Sequence, residues 1–253
     1  MLDDPRSLDA SISGGSPMTM HLLIVEDDTR VRTSLRLAME DEGYSVDEAE
    51  GTEAALDAVR THGIPDVMLV DLMLGGLDGY TCIREIRRDH DVPIIVVSAR
   101  DDTHDVVAAL ESGADDFVTK PFEVKELTAR IRALRRRARA TVVEREVTEL
   151  VLDPSPEHRL VLCPERGSLR LSGEDVHLTL TEFRLLCELA QNDSLVLTRQ
   201  MLLDKIWDRG FFGDERIVDV HVRRLRTKVE RDPADPRLIV TVRGLGYRLD
   251  VQS

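Results

Sequence analysis

Hydrophobic and polar positions follow two different rhythms along the chain. From His21 to about Ala138, short apolar runs alternate with segments whose apolar residues recur every three or four positions. The runs HLLIV, SVDEA, DVMLV, PIIVVSA and DDFVT predict strands. The periodic segments predict helices over about Thr29–Glu42, Thr52–His62, Gly79–Asp89, Thr103–Ser112 and Val124–Arg137. Strands alternating with helices imply a five-stranded parallel sheet covered on both faces, a doubly wound α/β domain. DVMLV and PIIVVSA are apolar nearly throughout, as strands buried on both sides must be.

Beyond Ala138 the rhythm changes. LRRRARATVVERE, Leu134–Glu146, loses its periodicity and gathers charge, which puts the first domain at 20–138 and a linker at 139–146. TELVLD, HRLVLCP, GSLRLS and VHLTL then read as short strands. TEFRLLCELAQ, TRQMLLDKIW and ERIVDVHVRRLRTKVE read as helices, and LIVTVRGLGYRLDV as a closing hairpin. The expectation is a second, α+β domain over 147–253. Residues 1–19, MLDDPRSLDASISGGSPMT, are polar and rich in turn formers, so a disordered tail is expected, with Met1, Met18 and Met20 all possible starts.

Composition narrows the function classes. A chain of 253 residues that is 42% hydrophobic can build real cores. No apolar run approaches the roughly 18 residues that span a bilayer, so no membrane segment is expected. A net charge of −14 argues against a nucleic-acid partner, yet residues 1–140 hold 28 acidic against 17 basic groups and residues 141–253 hold 20 against 17. The acid belongs mainly to the first domain. Three cysteines without a C-x-x-C pair suggest neither zinc nor disulfides and fit a reducing, cytoplasmic setting.

The candidate chemistry centres on VMLVDLMLGGLDG, where Asp71 ends an otherwise apolar strand. Taken alone it could be a metal ligand, a phosphate-accepting nucleophile or a helix cap. Glu26 and Asp27 end the first strand, and residues at equivalent ends of parallel strands meet on one rim. Three carboxylates so placed repel one another and call for a hard cation, Mg²⁺ before Ca²⁺. Ser98 ends the fourth strand with a hydroxyl and Lys120 the fifth with an ammonium. Carboxylate, cation, hydroxyl and Mg²⁺ together meet the needs of phosphoryl transfer, with Asp71 as acceptor.

VEDD, VDLMLGGLDG, VVSA and GADDFVTKPF resemble the signatures of bacterial response-regulator receiver domains, which have a flavodoxin-like fold. The resemblance implies that Asp71 takes phosphate from a sensor histidine kinase. It also implies that Glu26, Asp27, Asp71 and the Met73 backbone carbonyl hold Mg²⁺, that Lys120 and Ser98 contact the phosphoryl oxygens, and that Phe117 is the aromatic switch residue. Gly75 stands where the family usually has proline, and Phe117 lacks the hydroxyl of the commoner tyrosine. A homodimer face is implied at Val107 and Leu110 with a charged rim of Asp115, Asp116, Glu126, Arg130 and Arg132. Within that face Val106 and Thr128 depart from the usual residues.

In the second domain, Val218, Val222, Leu225 and Val229 form one apolar stripe at helical spacing. The opposite face carries Arg216, Val220, Arg223, Arg224, Thr227 and Arg231, and residues 216–231 hold six basic groups against two acidic. Arginines beside a small apolar residue suit the major groove of double-stranded DNA, while the hairpin with Arg243 could reach the minor groove. TLTEFRLL, VDVHVRRLR and TVRGLGYR resemble the winged helix-turn-helix of OmpR/PhoB-type response regulators. That implies base contacts by Arg224 and Arg243 and phosphate contacts by Arg216, His221, Arg223 and Arg226 at a promoter. It also implies a loop, here with Phe211 and Phe212, that touches RNA polymerase, whereas Trp207 reads as core. The expected function is a phosphorylation-dependent transcriptional regulator that dimerises on activation. Two rivals remain: a phosphorylation-independent regulator whose first domain only dimerises, and a phosphohydrolase, which usually needs an acid where Met73 stands.

Overall fold

The computed structural model describes residues 19–75, 78–135, 148–207 and 215–251. The expected tail before residue 19, the linker 139–146, and Phe211 and Phe212 lie outside them. The first domain runs β1 (His21–Val25), α1 (Thr29–Asp41), β2 (Ser45–Ala49), α2 (Thr52–His62), β3 (Val67–Val70), α3 (Gly79–Asp89), β4 (Ile94–Ser98), α4 (Thr103–Ser112), β5 (Asp116–Thr119) and α5 (Val124–Arg135). Its five strands pair in parallel in the order β2-β1-β3-β4-β5. β3 and β4 are buried at every position, because helices cover both faces. One side chain set, with Leu23, Val25, Met68 and Val70, packs on α2 to α4, and the alternate set, with Leu22, Ile24 and Leu69, packs on α1 and α5.

The second domain begins with an antiparallel sheet of β6 (Leu150–Asp153), β7 (Leu160–Cys163), β8 (Ser168–Leu171) and β9 (Glu174–Asp175). Then come α6 (Leu180–Gln191), β10 (Leu197–Thr198), α7 (Arg199–Ile206), α8 (Arg216–Val229), β11 (Ile239–Val242) and β12 (Gly246–Leu249), with the last two strands and β10 forming a second sheet. The predicted strand VHLTL is replaced by the two-residue β9 and an extended lead into α6. A capping box explains the change: Thr179 accepts from the Glu182 N–H, and the Glu182 carboxylate accepts from the Thr179 N–H. Capping commits Thr179 to starting a helix instead of prolonging a strand.

The domains touch along two helix pairs. α8 lies along α4, and Arg184 of α6 donates to the Ala133 carbonyl of α5 over 2.8 Å. One hydrophobic cluster therefore runs from the β3–β4 side of the first domain into the helices of the second.

Candidate functional site

Hydrogen bonds continuing the β-ladder set the residues at the strand ends. The Glu26 N–H donates to Ala49 O, the Asp71 N–H to Val25 O and the Lys120 N–H to Ser98 O, at 3.1, 2.9 and 2.8 Å. Glu26, Asp71, Ser98 and Lys120 are thereby brought to one rim. Lys120 Nζ reaches Glu26 Oε2 and Asp71 Oδ2, both at 2.6 Å, and the Met73 N–H donates to Asp71 Oδ1 at 2.9 Å. Ser98 is fully buried, and Asp71 nearly so. The start of α3 closes in behind Asp71 at Gly79, where a β-carbon would stand 2.1 Å from the Asp71 carbonyl oxygen. Only glycine permits that approach.

Charge at this rim is divided unequally. Burial pushes the Asp71 carboxyl up, but Lys120, the Met73 N–H and the Ser98 hydroxyl together hold it below its usual range. For Glu26 burial prevails over Lys120 and the acid is raised. Lys120 itself is raised, since Asp71 and Glu26 outweigh the desolvation that opposes them. Of the two carboxyls, Asp71 is the one its neighbours hold in the ionised form.

The expected convergence of three carboxylates takes a different form. Lys120 bridges Glu26 and Asp71, while exposed Asp27 turns its Oδ2 to the Gly75 N–H at 3.0 Å. Among the described residues no three Asp, Glu, His or Cys side chains are gathered tightly enough to cage an ion. Mg²⁺ does not require such a cage: it binds through one or two carboxylates and keeps several waters. The all-oxygen donors at this rim, with exposed Asp27 beside Asp71, fit it. Phe117 is buried on β5 opposite Val96.

The second candidate surface is α8, and here the wheel is corrected. Val218, Val222, Leu225 and Val229 are buried as expected, but Val220 is 6% exposed and His221 fully buried, on a helix that packs against α4. The His221 Nε2 and the Trp207 indole N–H both meet the Asp115 carbonyl oxygen, at 3.1 and 3.2 Å. Arg224 donates to the carbonyls of Leu110 and Ala114, both at 3.1 Å, and pairs with Glu182 at 2.9 Å. Arg223 is exposed and pairs with Glu111 of α4 at 2.9 Å. Arg216, Thr227 and Arg243 are also exposed. Arg226 is tied to the Ile239 carbonyl and the Thr241 hydroxyl. A helix wheel separates the two faces of α8 but cannot say whether DNA or another domain meets the second one.

The expected dimer face is divided by the same contact. Leu110 is 1% exposed beneath α8, and Val107 is half-buried. Asp115 is no rim residue: it is fully buried and held by Arg87 at 2.7 Å and the Ile94 N–H. Asp116 is also buried, paired with Arg130, which in turn reaches Glu126. Arg132 is exposed and pairs with Glu42. Val106 is half-buried, and Thr128 is buried with its hydroxyl donating to Lys125 O.

Several structuring residues escaped the sequence reading. Asp219 accepts from Arg199 at 2.7 Å and from the Tyr247 hydroxyl at 2.6 Å, joining α7, α8 and the closing hairpin. The guanidiniums of Arg199 and Arg226 lie 5.1 and 5.6 Å from the Tyr247 ring centre. Glu182, fully buried, binds both Arg224 and Lys228 of α8. Its place in the TLTE capping box signals that it matters; its partners, 42 and 46 residues on, are not visible in the sequence.

Residues 22–132 match the family described as response regulator receiver domain, and residues 173–249 match that described as transcriptional regulatory protein, C terminal. The transcriptional regulatory protein AfsQ1 of Streptomyces coelicolor is 45% identical over 229 residues, covering 90% of this chain and 97% of that one. The sensory transduction protein RegX3 of Mycobacterium tuberculosis is 42% identical over 229 residues, covering 90% and 98%. Among solved structures, a mutant of the protein RitR aligns over 92% of this chain and 100% of its own, with a TM-score of 0.69 and 26% identity.

Proposed function

Since the chain belongs to the two-component response regulators, with a receiver domain followed by a winged-helix transcriptional-regulator domain, we propose that phosphorylation of Asp71 frees α8 from α4 to bind promoter DNA. The observation that supports this most is the double use of α4. Its outer face, with Val107 and Leu110, is the implied dimer surface, and α8, with Arg223 and Arg224, is the implied DNA reader; here each covers the other. A switch that parts them makes both available at once.

A phosphohistidine of a sensor kinase is the donor in this reading. An Asp71 carboxylate oxygen forms the new O–P bond, the P–N bond breaks, and the imidazole leaves with its electron pair and takes a proton. Bound Mg²⁺ would supply charge neutralisation at the transferring phosphoryl group, held by Asp27, Asp71 and the Met73 carbonyl beside Glu26. Lys120, which holds the Asp71 carboxylate in the resting site, can turn to a phosphoryl oxygen as the carboxylate becomes an ester-like acyl group. Ser98 offers a hydroxyl from the end of β4, and movement of that residue opens room for Phe117 to turn inward. The α4–β5 region would shift with them, and Asp115, Leu110 and Ala114 there are the anchors of His221, Trp207 and Arg224. Dimerisation through the uncovered α4 face would then set two winged helices on repeated half-sites.

Incubation with acetyl phosphate and Mg²⁺, followed by intact mass, tests the chemistry. Wild type should gain one phosphoryl group and Asp71→Asn none. Equal gain by both, or no gain by wild type, would contradict the assignment.

A further inference from the structure

His221 is the α8 residue set deepest in the seam between the domains, with none of its surface exposed. A carbonyl oxygen can only accept, so the Nε2 that faces Asp115 O must carry the ring proton and Nδ1 must be the bare nitrogen. That Nδ1 is buried without a hydrogen-bond partner among the described residues. The Trp207 ring, centred 5.3 Å away, flanks the imidazole and donates to the same oxygen. A proton added to Nδ1 would be a charged donor in a dry site with no acceptor bonded to it among the described residues.

The surrounding charges are divided and do not outweigh burial: Arg224, on the same helix, adds a like charge, while Asp115 and Glu182 favour the charged ring. Asp115, before β5, directs Oδ2 to Arg87 of α3 and to the Ile94 N–H, leaving its buried Oδ1 on the residue whose carbonyl already takes Nε2. Glu182 of α6 is committed to Arg224 and Lys228. We propose that His221 makes the α4–α8 seam a proton-sensitive latch, closed on a neutral imidazole and released when the ring is protonated. Mild acid would then expose α8 without any phosphoryl donor. The latch stands apart from the Asp71 chemistry; only its consequence for DNA rests on the reading given above.

The sign and window follow from linkage. Burial, with Arg224 second, lowers His221 from 6.5 to about 4 in the closed form. A base held neutral this way favours closure fully above its ordinary value and loses that advantage as the pH falls toward the closed-state value. The open-to-closed ratio should therefore rise about tenfold between roughly pH 7.5 and 5.5. Glu182 and Asp115, the carboxylates whose charge acts on His221, are held below 4.5 and 3.8 respectively, so they titrate beneath this window.

Trp207 is the chain's one tryptophan, so its indole N–H reports the seam as a single resonance. Indole hydrogen exchange would be followed by NMR on the full, unphosphorylated chain, normalised to the free-indole rate at each pH. Wild-type protection should fall about tenfold between roughly pH 7.5 and 5.5. In His221→Gln, which keeps an N–H for Asp115 but cannot titrate, protection should not change with pH. Constant protection in wild type, or the same tenfold fall in the variant, would overturn the latch. Should His221→Gln lack protection at every pH, the wild-type ring decides. The ring must stay neutral wherever the indole is protected, and titration near its ordinary value with protection intact would overturn the proposal. Because no phosphoryl donor is present, failure here leaves the Asp71 reading standing, and failure of Asp71→Asn to block phosphorylation leaves the latch standing.

Discussion

The Asp27–Gly75 hydrogen bond depends on an amide N–H that proline, the usual residue there in the resembled family, does not have. In this chain the loop after Asp71 therefore holds a carboxylate that Mg²⁺ would use. Gly75→Pro should free it and tighten Mg²⁺ binding by roughly two- to tenfold, the equivalent of one hydrogen bond worth about 0.5–1.5 kcal/mol. Calorimetric titration of the unphosphorylated chain checks this, and unchanged or weaker binding would count against it. At this scale the sequence was most informative for Glu26, Asp71, Ser98 and Lys120, because strand ends in a parallel sheet share a rim whatever the details of packing. It could not show that Lys120 would bridge two of the carboxylates, since that depends on side-chain distances across four segments.

Helices and strands were legible where one pattern acted alone. β3 and β4 are nearly pure apolar runs, and α8 has a clean stripe, so both were read correctly. VHLTL was misread because its alternation suits a strand while its final threonine belongs to a cap. Thr179→Ala removes that cap and should cost about 1 kcal/mol of second-domain stability. Denaturant unfolding that shows no loss would mean the Glu182 half of the box suffices. The partner of the outward face of α8 was not legible for a different reason: arginines with one small apolar residue satisfy a DNA groove and a neighbouring helix equally well. Val220 and His221 are buried here where α8 packs on the first domain, and nothing within α8 itself distinguishes the two partners.

On the function proposed above, the whole molecule is an arrangement in which α4 and α8 block each other. Net charge of −14 concealed a basic helix, and the helix in turn is partly neutralised by Glu111 and Glu182 while the domains are closed. That an α/β domain is followed by an α+β one was readable from the change of pattern along the chain; the seam was not, because Asp115 and His221 stand 106 residues apart and each looks ordinary alone. The central claim is that phosphorylation of Asp71 opens this seam. Amide hydrogen exchange with mass readout, before and after acetyl phosphate and Mg²⁺, tests it most directly. Peptides covering Thr103–Ser112 and Arg216–Val229 should lose protection together in wild type and remain protected in Asp71→Asn. Fully phosphorylated wild type with both helices as protected as before would contradict the account.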